Sequence, residues 1–297
     1  MWLLAALLIA DSTITLTVTL PNEEYVSVTI AGEGQPVVLL PGLFGSAYGY
    51  RRLTPLLTRA GYRALIVEPL GIGASARPRH ADYSLTAQAD RVAAALDTLG
   101  IDHAIVVGHG LSASIALRIA LRRPGLVAGV VLLDGGLAEA AASPGLRRAM
   151  VFAPLIRIFG GKGIIRNKIY RQMIAASADT SWVTPDVVEG YTQDAARDLG
   201  KTLDALKGMV EAKEPQLLTP RLGEIACPVR LVAGSAEHEY ALPPNEIVDM
   251  REGLPSFVID SVPGVGYFAF EEQPAAVVGS VRRVGAARLL AALPHVP

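Results

Sequence analysis

The sequence contains a single cysteine, Cys227, and almost no net charge. One cysteine excludes an intramolecular disulfide framework and any zinc site built from several cysteines. Lys and Arg total 27 against 28 Asp and Glu, and this net charge of −1 offers no electrostatic case for a nucleic-acid partner. Charged residues make up only 19% of the chain. That composition excludes disorder, collagen and coiled coil.

Apolar residues, in contrast, are plentiful. They account for 51% of the 297 residues, and the mean hydropathy is +0.37. This is enough apolar material for a sizeable core. The length predicts one large or two small domains, at about 150 residues per domain.

The first ten residues form an apolar run that ends at Asp11. A bilayer span requires about 20 apolar residues, so we expect no membrane span here. Secretory signals begin with basic residues, whereas the first Lys or Arg of this chain is Arg51. We therefore expect a cytoplasmic protein. An atypical export signal or an interfacial segment over residues 1–10 is the alternative.

Short apolar runs alternate with helix-length stretches along the chain. Residues 14–20 alternate with period two and 25–31 follow a Pro-Asn turn, so both are predicted strands. Five wholly or almost wholly apolar runs are typical of parallel strands covered on both faces: 37–40, 64–67, 104–107, 130–133 and 229–233. Between most of them lie helix-length stretches: 51–60, 86–99 and 114–123. This order predicts an α/β fold with a mostly parallel, doubly wound sheet.

Residues 138–220 break this alternation. No strand-like run occurs there, while apolar residues keep a helical spacing, as in Leu199, Leu203, Leu206 and Val210. We interpret the stretch as a helical cap inserted after the fourth apolar run, with residues 1–137 and 221–297 forming the core. Ligands of open α/β sheets bind at the carboxyl edge of the strands, so a cap there predicts a small-molecule pocket.

Four segments resemble the α/β-hydrolase family over about residues 14–285. Residues 39–45 (LLPGLFG) resemble its oxyanion loop, and residues 61–75 resemble the strand and turn that follow. Residues 106–112 (VVGHGLS) lie where the nucleophile elbow belongs, and residues 263–268 (PGVGYF) resemble the loop that presents the general base. The resemblance implies an α/β-hydrolase fold with a helical cap insertion.

The resemblance also implies a degenerate catalytic triad. The family uses a nucleophile on the elbow, a His that accepts its proton and a carboxylate that orients the His. The corresponding positions here are Gly110, Tyr267 and Glu237. Glycine has no nucleophile, and a phenol with a pKa of about 10 is a poor base near neutral pH. Standard serine hydrolysis is therefore not expected.

Part of the ligand-binding apparatus is retained. The backbone N–H groups of Leu43 and Leu111 stand where the family builds its oxyanion hole, and their neighbours Phe44 and His109 complete the candidate binding residues. Tyr267 either donates a hydrogen bond to the ligand or fills the space of the missing imidazole. Glycine at position 110 would relieve about 1–3 kcal/mol of backbone strain at the apex of the elbow.

A displaced triad is the alternative, with Ser112 as nucleophile, His238 as base, and Glu239 or Asp134 as acid. We expect instead that Ser112 packs or caps the helix, that His238 is a solvated loop residue, and that Asp134 is a cap or turn residue. The chain is then predicted to bind a small apolar carbonyl compound or to run lyase- or cyclase-like chemistry. The alternative is hydrolysis of an ester or a similar bond. No cofactor or metal is predicted, and the oligomeric state is left open.

Overall fold

The computed structural model describes residues 13–21, 24–154 and 162–291. Within them, one eight-stranded sheet has the order β1-β2-β4-β3-β5-β6-β7-β8. The strands are β1 (Thr13–Thr19), β2 (Tyr25–Ala31), β3 (Gln35–Leu40), β4 (Tyr62–Val67), β5 (Ala104–His109), β6 (Val127–Leu133), β7 (Val229–Gly234) and β8 (Phe257–Val262). Only the pairings of β2 with β1 and β4 are antiparallel. The predicted mostly parallel α/β sheet is confirmed.

Helices cover both faces of this sheet. Strands β5 and β6 are apolar at nearly every position, and these helices leave them completely buried. The helices before β6 are α1 (Thr54–Arg59), α2 (Leu85–Thr98) and α3 (Leu111–Arg122), and those after β7 are α8 (Pro244–Gly253), α9 (Ala269–Glu272) and α10 (Pro274–Ala291). Two buried apolar clusters lie in the core, one including Val38 and Val106, the other Val37 and Val107. Neighbouring strand residues therefore face opposite layers.

The stretch between β6 and β7 is helical wherever it has regular structure in the described residues. It contains α4 (Pro144–Met150), α5 (Lys162–Ala176), α6 (Pro185–Arg197) and α7 (Leu199–Glu211), followed by a 3-10 helix (Thr219–Glu224). The N–H of Tyr267 donates to the carbonyl of Ala176 at the end of α5 (2.8 Å), which brings this stretch to the carboxyl edge of the sheet. Its division from the core at residues 138 and 220 stays a prediction.

A buried arginine fastens both ends of this helical stretch to the core. Arg118 on α3 is 2% exposed and lies 2.9 Å from Glu139 and 3.7 Å from Glu214. Glu139 also accepts the backbone N–H groups of Leu218 and Thr219. The beginning and the end of the stretch are therefore held at one point on α3.

Sequence analysis missed one strand. The segment of β8 is half exposed and contains Asp260, which pairs with Arg230 of β7 (2.6 Å), so it does not form an apolar run. Helix α3 begins at Leu111, earlier than predicted, directly after Gly110. No described helix is long and apolar enough to cross a membrane. The apolar run 1–10 lies outside the described residues.

Candidate active site

Gly110 forms the sharp turn between a buried strand and a helix. Strand β5 ends at His109, α3 begins at Leu111, and Gly110 between them has φ 53° and ψ −119°. Its N–H donates to the carbonyl of Leu133 (3.0 Å), which ties the turn to β6. Residues with a Cβ are strained in this region of backbone conformation, whereas glycine adopts it freely.

The side chain of Tyr267 lies over this turn. A Cβ added to Gly110 would overlap the Tyr267 hydroxyl and would lie 3.2 Å from the ring carbon Cζ. Burial raises the pKa of Tyr267 above its ordinary value, and the charges of Asp134 and Tyr240 raise it further. The phenol therefore stays protonated at neutral pH and offers a hydrogen-bond donor directly above Gly110.

His109 packs beneath Tyr267 and is almost completely buried. Its Nε2 lies 3.2 Å from the Tyr267 carbonyl oxygen, and its ring contacts the rings of Tyr267 and Phe270 at centroid distances of 4.4 and 4.8 Å. Burial lowers the pKa of His109 to about 4, so the imidazole is neutral at physiological pH. This geometry makes His109 a support for Tyr267.

Asp134 brings a buried carboxyl group to the same edge of the sheet, where it directly follows β6. It is 5% exposed, has φ 40°, and accepts the N–H of Gly234 at the end of β7 (3.2 Å). Burial raises the pKa of Asp134 to about 7, and the charge of Glu272 adds to this effect. The sequence-based expectation of a cap or turn residue agrees with its backbone, which turns at a positive φ directly after β6. That expectation did not include the burial of the carboxyl group beside His238.

His238 and Glu237 point in opposite directions. The His238 side chain is only 2% exposed, its Nε2 lies 3.8 Å from Asp134 Oδ1, and its Nδ1 is buried without a hydrogen-bond partner. The expectation of a solvated loop histidine was wrong. Burial lowers the pKa of His238. Glu237, which the family resemblance put in the place of the acid, is exposed to solvent.

Ser112 is completely buried in the first turn of α3. Its hydroxyl donates to the carbonyl oxygen of Pro41 (2.7 Å) and so ties α3 to the loop after β3. In that loop the N–H of Gly45 donates to the Gly42 carbonyl (2.8 Å), and Phe44 is 38% exposed with φ 63°. This turn carries Leu43, which is partly buried.

Tyr240 extends the group of polar side chains around Tyr267, with 4.9 Å between the two ring centroids. A cleft of about 790 Å³ lies elsewhere, between α4 and α7, and none of its lining residues belongs to the group around Gly110. The pocket expected at the elbow therefore stays a prediction. Among the described residues, no group of three or more His, Cys, Asp or Glu could hold a metal ion.

Comparison with known proteins supports the family resemblance. Residues 35–154 match the model of the alpha/beta hydrolase fold family. The chain is 35% identical over 128 residues to "Putative carbamate hydrolase RutD" of Klebsiella pneumoniae (strain 342), over 43% of this chain and 47% of the relative. It thus spans about half the length of that relative. It is 24% identical to "Uncharacterized hydrolase YugF" of Bacillus subtilis (strain 168), over 81% of this chain and 86% of that protein.

Solved structures show the same architecture. An epoxide hydrolase, CorEH, superposes with a TM-score of 0.77 at 20% identity, over 93% of this chain and 99% of that one. A putative alpha/beta hydrolase, ALR0039 from Nostoc sp PCC 7120, has a TM-score of 0.75 at 20% identity, over 92% and 98% of the two chains. The chain therefore has the α/β-hydrolase fold.

Proposed function

We propose that this protein is a non-hydrolytic member of the α/β-hydrolase superfamily that binds a small, mostly apolar carbonyl compound at Gly110. One observation carries the proposal: the Tyr267 hydroxyl fills the space from which a side chain at position 110 would project. Acyl transfer by this family requires a nucleophile at that turn. Here the turn offers a hydrogen-bond donor in its place.

The remaining groups suit recognition of a carbonyl oxygen. The backbone N–H groups of Leu43 and Leu111 are the candidate oxyanion-hole donors, and the amino end of α3 adds a positive dipole. The protonated Tyr267 hydroxyl is the third donor. One relative is named as a putative carbamate hydrolase and another as an uncharacterized hydrolase, which supports a carbonyl compound such as a carbamate as the ligand.

A second candidate function is proton-transfer chemistry of the lyase or cyclase type. Asp134 favours it, because a carboxyl group with a pKa of about 7 both accepts and donates a proton near neutral pH. Substitution of Asp134 by Asn distinguishes the two functions. Both functions predict that Asp134→Asn keeps its ligand affinity. Only an enzyme of the lyase or cyclase type would turn the ligand over in the wild type and lose that turnover in the variant.

The first experiment is intact-mass analysis after exposure to a fluorophosphonate probe, which reports an activated serine without knowledge of the substrate. We expect no adduct on the folded protein, because the Ser112 hydroxyl is buried and donates to Pro41. An adduct on Ser112 that Ser112→Ala abolishes would overturn the proposal and favour the alternative of a hydrolase with Ser112 as nucleophile and His238 as base.

The second experiment measures the melting temperature with a panel of esters, carbamates and lactones. A ligand at this site should raise the melting temperature of the wild type and raise that of Tyr267→Phe less, since the variant lacks the hydroxyl donor. Tyr25→Phe is the control, because Tyr25 is 40% exposed on β2. Equal shifts in all three proteins would remove Tyr267 from the binding site.

A further inference from the structure

The positive charge of the chain is unevenly distributed. Residues 140–178 contain no Asp or Glu and seven basic residues: Arg147, Arg148, Arg157, Lys162, Arg166, Lys168 and Arg171. This stretch alone carries a formal charge of +7 in a chain whose net charge is −1. Charge asymmetry of this size is typical of a surface that meets an anionic partner.

Large apolar side chains are exposed within the same stretch. Helix α4 presents Arg147 and Arg148 to solvent, and the chain continues directly into Val151 and Phe152. Val151 is 74% exposed and Phe152 is 59% exposed, so Val151 is the most exposed large apolar residue in the described part of the chain. On α5, Tyr170 is 41% exposed between the exposed Lys168 and Arg171.

The cleft between α4 and α7 continues this mixed character. Its apolar lining includes Met150, Val151 and Leu203. Its charged lining is mixed: Lys207 lies 3.7 Å from Glu211, and Arg147 is exposed at the end that continues into Val151. Apolar side chains beside cations match the two parts of a membrane surface, since the acyl boundary accepts the former and anionic headgroups attract the latter. Nucleic acid would satisfy the charges but leave Val151 and Phe152 without an apolar partner, whereas a membrane supplies an anionic layer and an apolar layer side by side.

We propose that Arg147, Arg148, Val151 and Phe152 form a docking surface for a membrane that contains anionic lipids. The arginines attract the headgroups, and the two apolar side chains insert at the boundary between headgroups and acyl chains. The surface belongs to the helical stretch over the carboxyl edge of the sheet, so docking would place this side of the protein against the lipid.

The test is co-sedimentation of the full-length protein with vesicles of phosphatidylcholine alone or with 30% phosphatidylglycerol. We expect binding to the anionic vesicles, weakened by salt. Arg148→Glu should lower the partition coefficient at least about fivefold, and Phe152→Ser about tenfold. The matched controls are Arg282→Glu, exposed on α10, and Ile14→Ser, since Ile14 is also 59% exposed; both should bind as the wild type does.

Three outcomes would overturn the proposal. In one, the protein binds both vesicle types equally or binds neither of them. In another, deletion of residues 1–10 abolishes vesicle binding, while Arg148→Glu and Phe152→Ser leave it unchanged. Vesicle binding would then be assigned to the amino-terminal run. The third is retention on heparin that depends on Arg148 and not on Phe152, together with absent vesicle binding, which would indicate a soluble polyanion.

Discussion

The Tyr267 hydroxyl occupies the place that a side chain at position 110 would take, directly over the turn between β5 and α3. Each residue therefore depends on the other. Glycine is required beneath the phenol because a Cβ would overlap it, and the phenol is possible only because position 110 has no side chain. In the α/β hydrolases that the sequence resembles, the turn between the corresponding strand and helix carries the nucleophile.

Gly110→Ala should destabilise the protein by about 3 kcal/mol or more. The positive φ strains any residue with a Cβ, and the new methyl group overlaps Tyr267, which adds an overpacking cost of about 1–3 kcal/mol. Tyr267→Phe removes the overlapping oxygen, so the same substitution should cost about 1–3 kcal/mol less in that background. Urea denaturation of the four proteins measures this coupling.

Gly125→Ala is the control for this cycle, because a Cβ there meets no atom within 4 Å and Gly125 does not have a positive φ. It should change the free energy of unfolding little, and by the same amount with Tyr or Phe at position 267. Absence of coupling between positions 110 and 267 would contradict the contact between them.

Much of the fold could be predicted because its strands are unusually uniform. Residues of β5 and β6 are buried on both faces, so each strand forms a short apolar run that a sequence reveals directly. Strand β8 lies at the edge of the sheet and contains Asp260, whose carboxylate pairs with Arg230. An edge strand has no such run, which explains why sequence analysis missed it.

The site was harder to predict because loops have no periodicity. Glu237 and His238 are adjacent, yet one faces solvent and the other is buried beside Asp134. Neither residue type nor spacing distinguishes them. The turn at Asp134 was predicted, since an acidic residue followed by Gly135 and Gly136 directly after an apolar strand is typical of a tight turn, and Asp tolerates the positive φ better than most residues. Its proximity to His238 has no such signal.

Restoring two side chains should create a reactive serine. In Gly110→Ser/Tyr267→His, the phenol no longer blocks the turn, and an imidazole can accept the proton of the new hydroxyl. We expect fluorophosphonate labelling at position 110 and hydrolysis of a small activated ester. A folded double variant without either would contradict the assignment of Gly110 to the elbow apex.

The acid in this variant should be Asp134 rather than Glu237. Asp134 is buried and its charge acts on Tyr267, whereas Glu237 faces solvent. Adding Asp134→Asn to the double variant should therefore abolish most of the labelling rate, and adding Glu237→Gln should leave it nearly unchanged. The reverse result would show that the loop after β7 rearranges when position 267 changes.

Asp134 should make the protein less stable as the pH rises from about 4 to 7. Its pKa is about 7 in the folded protein and near 4 in an unfolded chain, so the folded state binds more protons within this window. Ionisation of the folded carboxyl group then costs on the order of a few kcal/mol. Asp134→Asn removes the titrating carboxyl group and retains an acceptor for the Gly234 N–H.

The measurement is the free energy of unfolding of the wild type and of Asp134→Asn at intervals from pH 4.5 to 8.5. The difference should be small at pH 4.5 and favour the variant increasingly towards pH 8. His109 and His238 act in the opposite direction, since burial lowers their pKa values. The His109 contribution cancels in the difference, because His109 is present in both proteins. His238 lies 3.8 Å from Asp134, so the difference reports the titration of this pair of side chains. A difference that stays constant with pH would exclude titration of Asp134 near 7.

Arg118 should be indispensable for holding the helical stretch between β6 and β7 in place. Arg118→Met leaves the carboxylates of Glu139 and Glu214 without their buried counter-charge, and breaking a buried ion pair from one side costs about 3–5 kcal/mol. Hydrogen exchange should increase first at Leu218 and Thr219, whose N–H groups donate to Glu139.

Arg122→Met is the control on the same helix, because the side chains of Arg122 and its partner Asp90 are 39% and 50% exposed and their ion pair should contribute less than about 1 kcal/mol. An equal loss of unfolding free energy in the two variants would contradict the role of Arg118 in holding the helical stretch on α3.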